Sequence, residues 1–305
     1  GLCEQDRRQM TSKASVPATL IVVFSGLLWG FYWFPVRELA GLGLTGAWGT
    51  LAIVLAAVIV LAPFALRVRG RRVQADRLGL ASVALGGIAF ALYSVGLLYG
   101  RVAIIVILFF LTPVWSTLIG RYLMGWPASR MRILALLAGF AGLLLMLGAE
   151  GEVPVPRGLG EWLGLTSGLL WAIATTGIRV RSDTGPAETA FVFAAGAAIG
   201  TLFLAPLLEP LPNLGGNGAA ALALALVTGG LWWGLGMAAL MWATTRLEPA
   251  RVGILMMSEV LIGAASAALI AGEVLSLPEL AGGALVVVAG VLEVLPERPG
   301  GDGRA

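Results

Sequence analysis

Histidine is absent from this 305-residue chain, and cysteine occurs once. Without an imidazole there is no histidine general base, no Ser-His-Asp triad and no His-ligated metal. The single cysteine, Cys3, lies near the start and can form neither an intrachain disulfide nor a thiolate metal cluster. Lys13 is the only lysine, and no arginine falls near the middle of an apolar stretch. A phosphorylated substrate would find no cation to pair with there. No Walker A pattern occurs, so nothing points to ATP-driven work. Charge of either sign is scarce, at 12% of residues where soluble domains carry about 25%.

What the chain has in quantity is apolar surface. Hydrophobic residues make up 58%, and the mean hydropathy is +0.92. A membrane-spanning helix needs about 20 mostly apolar residues. Ten such runs are expected, at 17–36, 46–66, 79–99, 102–124, 131–148, 160–180, 187–207, 219–243, 250–271 and 278–295. The connections are too short for a separate soluble domain. The first run is too long for a removable signal peptide and lacks a small-residue cleavage site. Residues 1–9 are polar and read as tag- or vector-derived, with Met10 as the natural start. The expected division is an N-terminal cytoplasmic tail over 1–16, a first half over 17–148, a linker over 149–159, a second half over 160–295 and a C-terminal cytoplasmic tail over 296–305.

The two halves are read from a repeat. Ser-Gly-Leu-Leu-Trp occurs at Ser25–Trp29 and again at Ser167–Trp171, 142 residues apart. Leu61-Ala62-Pro63 returns as Leu204-Ala205-Pro206, and Gly86-Gly87 as Gly229-Gly230. Arg37 pairs with Arg179, Gly125 with Gly272 and Gly142 with Gly290. A series at nearly constant offset marks an internal duplication.

Charge sets the orientation. With the N-terminus in the cytoplasm, 17 of the 20 Lys and Arg residues fall on the cytoplasmic side. Arg37, Arg101 and Arg157 fall on the other. The positive-inside rule then places both termini inside, and the arginine-rich stretch at 67–77 is a cytoplasmic loop and no nucleic-acid patch. Five spans per half is an odd number, so the second half enters the membrane from the opposite face. The fold class expected is therefore an all-α polytopic membrane protein of ten transmembrane helices, arranged as two inverted five-helix repeats. Secondary transporters use this plan, with a substrate site near the midplane at the repeat interface.

Glu259 is the leading site candidate, since an acid near the centre of a span is costly and normally faces a bundle interior or aqueous cavity. It could pair with a substrate ammonium or exchange a proton. In the repeat register it falls opposite Pro113, whose missing N–H should kink the fourth span. Ser25, Trp29 and Trp33 share one helix face, and Ser167, Trp171 and Thr175 share the equivalent face of the sixth span. Trp29 and Trp171 are expected to wall one central cavity. Tyr32, Tyr93, Trp232 and Trp233 are further aromatic candidates, while Met256 and Met257 offer adaptable apolar contact beside Ser258. Tyr99, Trp126 and Trp242 lie near span ends and read as interfacial anchors. The competing reading of each is helix packing, and of Glu259 a protonated side chain bonding a neighbouring helix.

Several motifs together carry a resemblance. They are Trp29-Gly30 and Trp171-Ala172, Thr112-Pro113-Val114, Gly272-Glu273, and the glycine-rich final span through Gly290. With the repeat, they resemble the drug/metabolite transporter superfamily, EamA type, over essentially 17–295. The aromatic Trp29-Gly-Phe-Tyr-Trp33 and Gly253-Ile-Leu-Met-Met-Ser-Glu259 look most like the YddG-type amino-acid exporters. That resemblance implies export of aromatic or other neutral amino acids and related metabolites across a bacterial inner membrane, with no enzymatic activity and no organic cofactor. The partners are a small-molecule substrate, the lipid bilayer and, with a titrating carboxylate, protons. Two departures stand out: Gly125-Trp126 where the second half has Gly272-Glu273, and Pro113 where it has Glu259. A broad-specificity drug or metabolite exporter is the near rival. A receptor or a membrane-embedded enzyme is a distant one, since only Glu259 is available for in-membrane chemistry.

Overall fold

A computed structural model describes residues 2–68, 76–125, 127, 129–149, 151, 153–181, 185–244, 246–247 and 255–294. Trp126, residues 69–75 of the arginine-rich stretch, residues 250–254 of the ninth expected run and the tail at 296–305 lie outside the described residues. Helices account for every regular element among the described residues. In chain order they are α1 (Leu2–Gly30), α2 (Trp33–Gly41), α3 (Trp48–Val68), α4 (Arg77–Tyr99), α5 (Val102–Phe109), α6 (Thr112–Tyr122) and α7 (Arg130–Leu147). The second half follows with α8 (Leu159–Arg181), α9 (Pro186–Leu208), α10 (Gly218–Thr228), a π-helical stretch at Gly229–Gly236 and α11 (Met237–Thr244). It closes with α12 (Ser258–Ile270) and α13 (Leu277–Val294). α1 begins within the stretch expected as a tail.

Seven segments are long and apolar enough to cross a bilayer: Val16–Gly41, Trp48–Arg67, Arg77–Tyr99, Val102–Tyr122, Arg130–Leu147, Pro186–Leu208 and Gly218–Ala243. The chain is an integral membrane protein. Ser258–Ile270 and Leu277–Leu292 are apolar but shorter. α8 has the length of a span as well, at 23 residues, and packs among α4, α5 and α6.

Local sequence explains the helix ends. Asp76 accepts from Leu78 N (3.1 Å) and Ser129 from Arg132 N (3.2 Å), each capping the helix that follows. The repeat-paired Gly125 and Gly272 follow α6 and α12 and hold φ of +67° and +68°. Only glycine adopts that left-handed conformation without strain, which gives this pair a backbone reason.

Packing between helices depends on the absence of Cβ atoms. A Cβ on Gly87 of α4 would run into the Phe193 carbonyl and the Ala197 amide of α9. A Cβ on Gly229 would run into the Ile53 carbonyl and the Ala57 amide of α3. The two contacts share one pattern, a carbonyl and the amide four residues on, at glycines 142 apart. Gly142 of α7 and Gly282 of α13 oppose each other in the same backbone-to-backbone way. Such approaches let helices gain dispersion contact where no hydrophobic effect drives them together.

Gly87→Val and Gly196→Val should each lower the thermal midpoint in detergent, with an overpacking cost of about 1–3 kcal/mol. Gly216→Ala, which meets nothing within 4 Å, should leave it unchanged. Equal midpoints for all three would contradict the close α4–α9 approach.

Candidate functional site

Three helix irregularities interrupt the apolar segments. The first apolar segment breaks at Phe31–Tyr32 between α1 and α2. The fourth breaks at Phe110–Leu111, with Pro113 in the first turn of α6 where its missing N–H costs nothing. Met257 forms the turn before α12. Pro113 and Met257 converge on Gly290 of α13, whose added Cβ would touch both side chains. The π-helical Gly229–Gly236 adds a fourth irregularity, of a kind often found at functional sites.

The first break places Tyr32 in the core, fully buried. Its hydroxyl accepts from Trp233 Nε1 at 2.9 Å and bonds Ser94 Oγ at 3.0 Å. Ser94 in turn bonds Thr50 Oγ1 at 2.7 Å. This chain ties the π-helical stretch to α4 and α3 through the hinge of the first segment. Trp33 Nε1 donates to Ser266 Oγ (2.9 Å), and Trp232 Nε1 donates to the Leu28 carbonyl (2.7 Å). Trp29, 1% exposed, has no hydrogen-bond partner for its N–H.

Phe90 is the aromatic hub. Its ring meets Trp171 at 5.0 Å, Phe109 at 5.1 Å, Trp29 and Phe193 at 5.2 Å, Tyr93 at 6.1 Å and Trp233 at 6.3 Å, in edge-to-face geometry. Trp29 and Trp171, expected to share a cavity, both touch the ring of Phe90. Trp29 also packs on Tyr32 and Trp233.

Glu259 sits in the first turn of α12 and is 1% exposed. Tyr93 Oη donates to Glu259 Oε1 at 3.3 Å, and Tyr93 itself packs on Phe109 at 4.8 Å. Neither ion pair among the described residues includes Glu259. Its place in the first turn of α12 sets the carboxylate at the positive end of the helix dipole. Next to it, Ser258 Oγ is buried without a partner and lies against Gly26, one turn before Trp29. Met256 and Trp171 are half-buried. The Thr175 hydroxyl is half-buried too but donates back to the Trp171 carbonyl at 2.8 Å, which reduces its use to a ligand.

The arrangement offers aromatic edges and faces, one carboxylate on a tyrosine hydroxyl, and two polar atoms with open valences, Trp29 Nε1 and Ser258 Oγ. Among the described residues no group of three or more His, Cys, Asp or Glu could hold a metal ion. Sequence reasoning missed Phe90, Phe193, Ser94 and Thr50. A mid-span phenylalanine or small hydroxyl carries no pattern that separates it from ordinary packing.

Residues 158–295 match the model of the EamA-like transporter family, a segment that coincides with the second half of the repeat. A search of curated proteins found no match. A crystal structure described only as that of a protein aligns over 91% of this chain and 98% of its own, at 20% identity and a TM-score of 0.55. It shows a shared fold.

Tyr32→Phe should lower the thermal midpoint by stranding the buried Trp233 N–H, a loss of about 1–3 kcal/mol. The double variant Tyr32→Phe/Trp233→Phe should cost less than the sum of the single variants. Strict additivity would show the bond to be idle.

Proposed function

We propose that this chain is a secondary transporter of the drug/metabolite type, exporting aromatic or other neutral amino acids and related metabolites by alternating access. The observation that carries the proposal is Glu259, buried in an aromatic core with a tyrosine hydroxyl as its bonding partner. A carboxylate in a site of low dielectric is stable only with a positive partner or a proton. Its natural ligands are a substrate ammonium group and H⁺, competing for one place. Binding of the amine as the proton leaves keeps the site neutral, so the carboxylate is never stranded in the membrane. That competition is the chemical basis of proton-coupled exchange. Trp29, Trp33, Trp171 and Tyr93 would supply the apolar walls, Met256 the adaptable contact, and Tyr32 the hinge behind them. Trp29 Nε1 and Ser258 Oγ are free to donate to a substrate carboxylate.

The transmembrane plan belongs to the same proposal: ten spans in two inverted five-helix halves, both termini cytoplasmic, in a bacterial inner membrane. The family match over 158–295 supports it. So does the packing, since α4 lies on α9 much as the π-helical stretch lies on α3, and α1 lies on α12 as α8 lies on α5. An inverted repeat provides two interchangeable packings around one site. Met256 and Met257 favour a second reading, a broad-specificity drug or metabolite exporter, which competition by unrelated drugs would distinguish.

Purified protein in liposomes should take up aromatic or neutral amino acids, and an opposing pH gradient should accelerate it. Glu259→Gln should transport at least ~10-fold more slowly and lose the response to the gradient, since the amide cannot exchange a proton. Wild-type rates for Glu259→Gln at every pH would remove Glu259 from the mechanism, and no flux of any amino acid would remove the substrate class.

A further inference from the structure

The three arginines that fall on the minority side of the charge distribution cluster at one end of the bundle, around the link between α12 and α13. Arg37 on α2 donates from Nη2 to Glu273 Oε1 (3.4 Å) and to the Gly100 carbonyl (2.9 Å), and from Nε to the Leu97 carbonyl (3.1 Å). Glu273 also accepts from the amides of Val102 (2.8 Å) and Ala103 (3.2 Å), the first turn of α5. Arg101 reaches both carboxylate oxygens of Glu279 and the Val274 carbonyl. Glu279 in turn accepts from Ser276 N (2.7 Å), and Ser276 Oγ accepts from Glu279 N (3.4 Å). This is a reciprocal capping box at the start of α13. Each ion pair joins one half of the chain to the other.

The pairs are built to hold. Both carboxylate side chains are 10% exposed while their arginines are 31% and 40% exposed, and the Arg101–Glu279 pair is fork-shaped, a charge-assisted geometry among the stronger polar contacts. The arrangement is also one-sided. In the repeat register Trp126 stands for Glu273 and Arg132 for Glu279, so the first-half counterparts carry no carboxylate.

We infer that Glu273 and Glu279 are gating residues, a double latch that holds the Arg37/Arg101 end of the bundle shut, and that opening this end requires both pairs to part. The inference draws its purpose from the transport reading. Its test needs no transport, so the two can fail separately. Two states of a bundle exchange according to the differential contacts each contains. Here the closed state owns two ion pairs and the helix-capping bonds of Glu273.

The chain has one cysteine, Cys3, so Cys3→Ser provides a thiol-free background. Ile104, 3% exposed and lining a small polar pocket of about 120 Å³ with Arg101, Arg157 and Glu279, becomes the reporter as Ile104→Cys. In oriented proteoliposomes, a membrane-impermeant maleimide applied from the Arg101 side should label it slowly. Glu273→Gln/Glu279→Gln should raise that rate about tenfold, in proportion to the population of the open state. The swap Arg101→Glu/Glu279→Arg should restore slow labelling. Arg101→Gln leaves the Glu279–Ser276 cap intact and gives an independent variant should the double one fold poorly. A second reporter, Ser258→Cys, labelled from the opposite side, separates gating from loosening. An unchanged Ile104→Cys rate, or a parallel rise at both reporters, overturns the latch.

Discussion

A hydrocarbon interior offers no water, so every polar group drawn into it has to be satisfied by the protein itself. Much of this structure follows from that constraint. The Phe31–Tyr32 break leaves the Leu28 carbonyl to accept from Trp232 Nε1. The hydroxyls that line the break are linked in series from Trp233 through Tyr32 and Ser94 to Thr50. Ser266 takes the Trp33 indole proton and donates onward to the Gly263 carbonyl at 3.2 Å. Trp115, Thr117 and Thr228 also bury a polar atom without a partner, but only Trp29 and Ser258 do so beside Glu259 and the first-span break, and they mark the place where a ligand has something to add.

The same absence of water removes the ordinary reason for helices to associate, and small residues take its place. Gly87 against α9 and Gly229 against α3 bring backbones to contact distance. Helices that meet through backbone have smooth faces, and smooth faces can slide. Aromatic side chains around Phe90 fill the space the glycines leave. The core is therefore tight at its backbone crossings and built of large planar groups at its centre. The ion pairs stand at one end, where the interface with water begins and charge is affordable.

Much of the architecture was legible in the sequence. The repeat of Ser-Gly-Leu-Leu-Trp, the paired glycines and the sparse charge all read through to an all-helical membrane protein. Gly125 and Gly272 share a left-handed φ, and Gly87 and Gly229 share a packing partner pattern. The seven segments apolar enough to span came from hydropathy alone. α12 and α13 escape that measure because they are apolar but short. The site was legible only in outline. Glu259 stood out because an acid in an apolar run has no bland explanation. Phe90 did not, because a phenylalanine in an apolar run has nothing else.

Composition and periodicity alone determined the solvent, the helical class and the acid set inside an apolar run. Each of these is a property of a segment taken singly, where hydrophobicity and spacing act without reference to distant residues. Tertiary structure decided which groups meet: Tyr93 with Glu259 across 166 positions, Arg37 with Glu273 across 236, and six rings around Phe90. Such pairings depend on how helices cross, and crossing depends on backbone shape at glycines and breaks that no local pattern encodes.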